Sequence, residues 1–216
     1  MKRLLLGALV LPGALLASTD DQPGAPLIAA DRAFAKAAQS TGEWTATRAF
    51  SAPRAEMFVP QRVQTSVFGQ DRPDPAVATR WAPEQVWIAC DGSAGVTMGR
   101  WSLSGTREHG WYEAVWAQLR DGSYKLLLRH GGPAQRQLLS RPGRKGARAT
   151  CTGQPGLPIT APDVGTDFKF GASHDQTLIW SSAVTPQGDV RVVVSLWDGT
   201  RHVPVLIDPA PPLNAR

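Results

Sequence analysis

The chain is poor in the residues that most often announce a reaction. It has two cysteines, four histidines, two tyrosines and three methionines, and only 19% of it is charged. The histidines, His109, His130, His174 and His202, are scattered, with no pair at helical or strand ligand spacing, which argues against a dedicated metal site. There is no G-x-S-x-G elbow, no H-E-x-x-H, no phosphate loop and no G-x-G-x-x-G, so the common hydrolase, zinc-protease and nucleotide signatures are excluded at the level of motif. Ser173, His174 and Asp175 are consecutive, and neighbours on the chain do not line up as nucleophile, base and orienter. No apolar run reaches the ~20 residues that span a bilayer as a helix.

The longest apolar stretch, Leu4 to Leu16, follows Lys2 and Arg3 and is closed by the small residues Ala17 and Ser18. This is the pattern of a secretory signal peptide, with cleavage expected after Ala17. The expectation is a secreted, periplasmic protein with no membrane span after cleavage. No Cys follows the run to accept a lipid, and Arg3 is not one of a twin pair. In an oxidising compartment Cys90 and Cys151 are expected to form a disulfide, which in the chain-entropy model limits the unfolded chain by about 4 kcal/mol.

Removal of Lys2 and Arg3 lowers the formal net charge from +5 to +3, a bias that serves solubility. The densest basic stretch, Arg136, Arg141, Arg144, Lys145 and Arg148, has no aromatic between its members. A base-stacking platform needs such interleaving, so nucleic acid is not an expected partner.

Ala25 to Ser40 reads as an amphipathic helix with Leu27, Ala30, Phe34, Ala37 and Ala38 on its apolar stripe and Asp31 off it. Gly42 ends it. Thr45 to Phe50 reads as a second short helix with Trp44 at its entry, and Ala55 to Pro60 as a short strand. From Gln61 to Pro83 the chain reads as irregular, with at most one helical turn at Ala76 to Thr79. Four strands follow at about 83–91, 95–105, 111–120 and 123–130, with Asp91-Gly92 and Asp121-Gly122 as hairpin signals. After a Pro-rich stretch, three more are expected at 176–185, 189–198 and 201–207, and PAPPLNAR reads as a tail. The expected division is a signal peptide at 1–17, a domain at 18–150 and a β-rich extension at 151–216.

The stretches ADRAFAKAAQSTGEW (30–44), AEMFVP (55–60), GVTMGRW (95–101) and YEAVWAQLRDGSYKLLLRHG (112–131) resemble the SnoaL-like, DUF4440-type branch of the NTF2-like superfamily over about residues 25–132. The resemblance implies an α+β cone, in which N-terminal helices pack on a curved antiparallel sheet, frequent homodimerisation through that sheet, and a pocket used by different members for binding, isomerisation, dehydration or hydrolysis. Two departures stand out. The middle segment GQDRPDPAVATRW lacks the third helix relatives carry there, and the extension after Cys151 is added.

Within such a cone, period-two alternation places Tyr124, Leu126, Leu128 and His130 on one face, taken as lining the pocket. Trp101 shares a face with Thr97 and Gly99, and Arg100 with Val96 and Met98. The Trp101 set is the preferred lining, an apolar wall, whereas an Arg100 lining would favour an anion. Trp44 and Asp31 complete the candidate ligand-binding residues, and Cys90 and Cys151 the disulfide. No catalytic set converges and no cofactor is implied. The leading expectation is therefore a protein that holds a small, largely apolar or aromatic ligand without catalysis. The alternatives are an isomerase, dehydratase or hydrolase, with His130 or Asp31 as base and Tyr124 as donor, and a structural protein that dimerises through its sheet.

Overall fold

The computed structural model describes residues 23–59, 61–68, 70–134, 139–140, 146–158 and 164–208. The expected signal peptide, most of the basic stretch and the PAPPLNAR tail lie outside them. Among the described residues no helix is long and apolar enough to cross a membrane.

The elements run α1 (Ala25–Thr41), α2 (Glu43–Phe50), β1 (Ser51–Phe58), β2 (Arg62–Gln64), α3 (Thr65–Phe68), β3 (Thr79–Ile88), β4 (Ala94–Leu103), β5 (His109–Gln118), β6 (Tyr124–Pro133), β7 (Leu139–Ser140), β8 (Gly146–Arg148), β9 (Asp167–Ala172), β10 (Leu178–Val184), β11 (Val190–Trp197) and β12 (His202–Ile207). The single helical turn is thus at Thr65–Phe68, not at 76–79, and β3 begins at Thr79 rather than 83. Pro83 is tolerated inside β3 because the pairing with β4 shifts between Pro83 and Gln85, so the missing N–H falls at an irregularity. The turns after β3 and β5 carry glycines at positive φ, Gly92 (76°) and Gly122 (83°), each preceded by an Asp whose side chain accepts the N–H of the serine two residues on.

Two sheets result. The central one has the order β2-β1-β6-β5-β4-β3-β8, and the second β7-β12-β11-β10-β9. The α+β arrangement is present: α1 and α2 cover one face of the central sheet through Leu27, Phe34, Trp81, Trp116 and Leu126. The C-terminal strands neither prolong that sheet nor roof the cone. They form a second sheet on the opposite face, where Trp87, Val96, Val115 and Leu128 meet Leu178, Val192, Val194 and Leu206. The central strands are therefore buried on both sides. This accounts for the near-continuous burial of β4 from Ala94 to Gly99 and of β5 from Gly110 to Trp116, where an antiparallel sheet with one wet face would alternate.

Cys90 and Cys151 form a disulfide with a Cα–Cα separation of 5.2 Å, joining the end of β3 to the segment that leads into the second sheet. The two sheets are also joined by ions. The Arg62 guanidinium meets Glu56 at 2.9 Å and Asp167 at 2.6 Å and donates to the Ser182 hydroxyl at 2.8 Å, while Lys169 pairs with Glu56 from the other side.

Candidate functional site

The cone between helices and central sheet contains one fully buried carboxylate. Asp31 is 0% exposed and lies on the buried stripe of α1 with Leu27, Phe34 and Ala38, a four-three-four spacing. This corrects the expectation that Asp31 lies off the stripe: Ala30 and Ala37 do pack against the same core, and the fully buried line runs through position 31. Its oxygens accept from Trp81 Nε1 and from the Tyr112 hydroxyl, each at 2.9 Å. Burial pushes the Asp31 carboxyl up, against the opposing effect of hydrogen bonds from Thr97, Trp81 and Tyr112. Burial and the adjacent Asp31 also raise the Tyr112 phenol, which keeps it protonated.

At the mouth lies a cavity of about 180 Å³ whose lining includes Glu43, Trp44, Trp101, Tyr112, Arg129 and the predicted His130. Trp44 stands edge-on to Phe68, with ring centroids 5.2 Å apart. It is held by α2, whose first amides are capped from a distance: Asp74 Oδ1 accepts from the N–H groups of Trp44 and Thr45 at 2.6 and 3.1 Å. Glu43 fixes the neighbouring strand by accepting from the Thr79 N–H at 2.9 Å. Trp101 faces the helices, and its indole donates to the Gly132 carbonyl at 3.2 Å. Arg100 is turned to solvent, 81% exposed in its side chain, and sits 3.3 Å from Glu84.

Arg129 escaped the sequence reading. Its guanidinium carbon lies 4.0 Å from the Trp81 ring centroid and 5.2 Å from that of Phe34. Burial lowers its basicity, while Glu43, Asp31 and Tyr112 oppose that effect from a distance. Among the described residues no carboxylate forms an ion pair with it.

The reason it was missed is a β-bulge. Val115 pairs with Leu128 but Trp116 pairs with Leu126, so Leu127 is an extra residue in β6 and the facing pattern reverses there. Tyr124 and Leu126 face the helices and Leu128 faces the second sheet, while His130 reaches between the sheets and also borders the cavity. The single face assigned to all four is thereby corrected. Tyr124 is not free to act as a donor in the cone, since its hydroxyl already donates to the Gly92 carbonyl at 2.8 Å. The His130 ring packs edge-on to Phe58 and Trp111, at 5.1 and 5.2 Å.

Behind the sheet, His130 Nδ1 lies 2.9 Å from Asp208 Oδ2 and 3.4 Å from Glu113 Oε1. Burial alone would depress the imidazole, but contacts with Asp208 and Glu113 outweigh it and raise His130 to about 9. Burial raises Glu113 to about 7.

No family model and no curated protein matches the sequence. Several solved structures are similar in shape over about half of the chain. An NTF-2 like protein of unknown function from Shewanella oneidensis MR-1 is 11% identical, with 51% of this chain and 98% of that one covered and a TM-score of 0.41. ActVI-ORFA from Streptomyces coelicolor is 14% identical, with 51% and 96% covered and a TM-score of 0.37. An LEH-like epoxide hydrolase from M. tuberculosis is 18% identical, with 48% and 75% covered and a TM-score of 0.33.

Proposed function

We propose that this chain is an exported, SnoaL-like member of the NTF2-like superfamily that binds a small ligand at the mouth of its cone without transforming it. The observation that carries this reading is Arg129. Its guanidinium is held against the face of Trp81 and forms no ion pair among the described residues, beside a cavity walled by Trp44, Trp101 and Tyr112. A ligand with a flat apolar body and one carboxylate would use both, stacking on the indoles and accepting from Arg129. The cavity is smaller than the ~300–1,000 Å³ of drug-sized sites, so the ligand is small. The disulfide supports the reading of export. The second sheet already occupies the outer face of the central one, which supports a chain that acts without dimerising there.

The test is native mass spectrometry of the unreduced protein, followed by titration with benzoate and with benzyl alcohol, read by tryptophan fluorescence. Saturable benzoate binding, at least tenfold weaker in Arg129→Met, is the expected result. Equal affinity for the alcohol, or no saturation by either, overturns it.

A catalytic reading is favoured by two cavity-lining groups that each contact a buried carboxylate, Tyr112 with Asp31 and His130 with Asp208. It requires that Tyr112→Phe keep binding and lose turnover of a ligand identified by the first experiment.

A further inference from the structure

The cluster behind the central sheet joins three distant parts of the chain. Glu113 and His130 are cross-strand partners on β5 and β6, and Asp208 follows β12. A ligand atom from each lies within 4.8 Å of the other two. The side chains of Glu113 and Asp208 are 0% exposed and that of His130 is 4% exposed. Among the described residues neither the four carboxylate oxygens nor His130 Nδ1 has an aligned hydrogen bond; the approaches of His130 to Asp208 and Glu113 are ion contacts within the cluster.

Buried carboxylates without donors are costly, and they persist when a cation neutralises them. The basic side chains that bridge the two sheets are already engaged elsewhere, Arg62 with Glu56 and Asp167, and Lys169 with Glu56. Once an ion displaces the protons that His130 and Glu113 hold, two carboxylates and a neutral imidazole carry a charge of −2, which one divalent ion balances.

We propose that Glu113, His130 and Asp208 bind a divalent transition-metal ion of the zinc or manganese kind, held between the two sheets. Metal–ligand bonds of about 2.0–2.2 Å place the donors of a tetrahedral ion roughly 3.3–3.6 Å apart. The observed 2.9 and 3.4 Å from His130 approach that spacing, and the two carboxylates, whose ligand atoms lie within 4.8 Å, close on the ion to complete it. One imidazole nitrogen with two carboxylates suits zinc, manganese or iron(II), whereas calcium demands six to eight oxygens. The ion is structural: it fastens Asp208, at the end of the last strand, to the centre of the first sheet.

The test uses the full protein, stripped with EDTA and then offered Zn²⁺, Mn²⁺ or Co²⁺ alone. Expected are about one tightly held equivalent by elemental analysis after dialysis, a thermal midpoint that falls on chelation and recovers with metal, and visible absorption from the cobalt form. Glu113→Gln and Asp208→Asn are expected to lose at least nine-tenths of the bound metal and the chelator response. A folded wild-type protein that takes up no stoichiometric ion and shows no metal-dependent midpoint overturns the proposal, as does undiminished uptake by variants that fold. The wild-type comparison decides the matter where a variant does not fold.

Discussion

Arg129 and His130 are consecutive on β6 and both border the cavity, yet the guanidinium lies over Trp81 beneath the helices while the imidazole Nδ1 reaches Asp208 between the sheets. Both are positioned by the extra residue at Leu127. Had the strand kept strict alternation, each would face the other compartment, putting an imidazole against Trp81 and a guanidinium beside Glu113 and Asp208. The bulge therefore assigns chemistry to the two compartments.

Asp31 sets a pH dependence of stability. Its carboxyl is raised in the folded protein, so the folded state binds a proton that the unfolded chain, with an ordinary value of 3.8, has already released. The associated stability is fully present below about 3.8 and is lost as pH rises through the folded value. Asp31→Asn keeps the size and an acceptor for Trp81 but removes the titration. Urea unfolding at a series of pH values should show wild type losing stability relative to Asp31→Asn from about pH 4 upwards, then running parallel to it. A wild type that gains on the variant with rising pH contradicts the assignment.

Gly99 marks where two strands approach too closely for any side chain. A Cβ there would stand 1.9 Å from the Ala82 carbonyl oxygen, a backbone atom that cannot swing aside. Gly99→Ala should cost about 2 kcal/mol in equilibrium denaturation, in the range of overpacked cores. At Gly156 a Cβ meets nothing within 4 Å, and Gly156→Ala should stay within roughly 0.5 kcal/mol of wild type.

Arg62 is the cation that Glu56, Asp167 and Ser182 share across the two sheets. Removing it as Arg62→Met strands Glu56, whose side chain is only 11% exposed, with Lys169 alone. The expected loss is about 3 kcal/mol, the low end for a broken buried pair because Lys169 still faces the carboxylate. In a double-mutant cycle, adding Glu56→Gln should recover more than half of that loss. Independent, additive effects would show that Arg62 and Glu56 are not coupled.

Much of the frame was readable because turn chemistry and apolar runs are local: Asp91-Gly92 and Asp121-Gly122 mark hairpins wherever they occur, and α1 carries its own stripe. What was not readable depends on pairing. The bulge at Leu127 leaves no mark in YKLLLRHGG, and so Arg129 was overlooked, while His130, which does border the cavity, was not foreseen to reach Glu113 and Asp208 as well. Asp31 was legible in principle from its spacing to Leu27, Phe34 and Ala38. Glu113 was also visible as a lone acid inside the apolar run WYEAVWA, a signal that matters only once both faces of β5 are known to be covered. Nothing in the sequence ties it to Asp208, which lies 95 positions further on.

The bridge between Cys90 and Cys151 makes a covalent ring of the intervening chain, and Arg136, Arg141, Arg144 and Lys145 all fall inside that ring. A protease that cuts after any one of them opens the ring without releasing a fragment. The nicked molecule keeps its mass apart from one added water, and the two halves stay joined through Cys90 and Cys151. Only reduction would part the two pieces, so damage at this stretch in an oxidising compartment leaves the protein assembled.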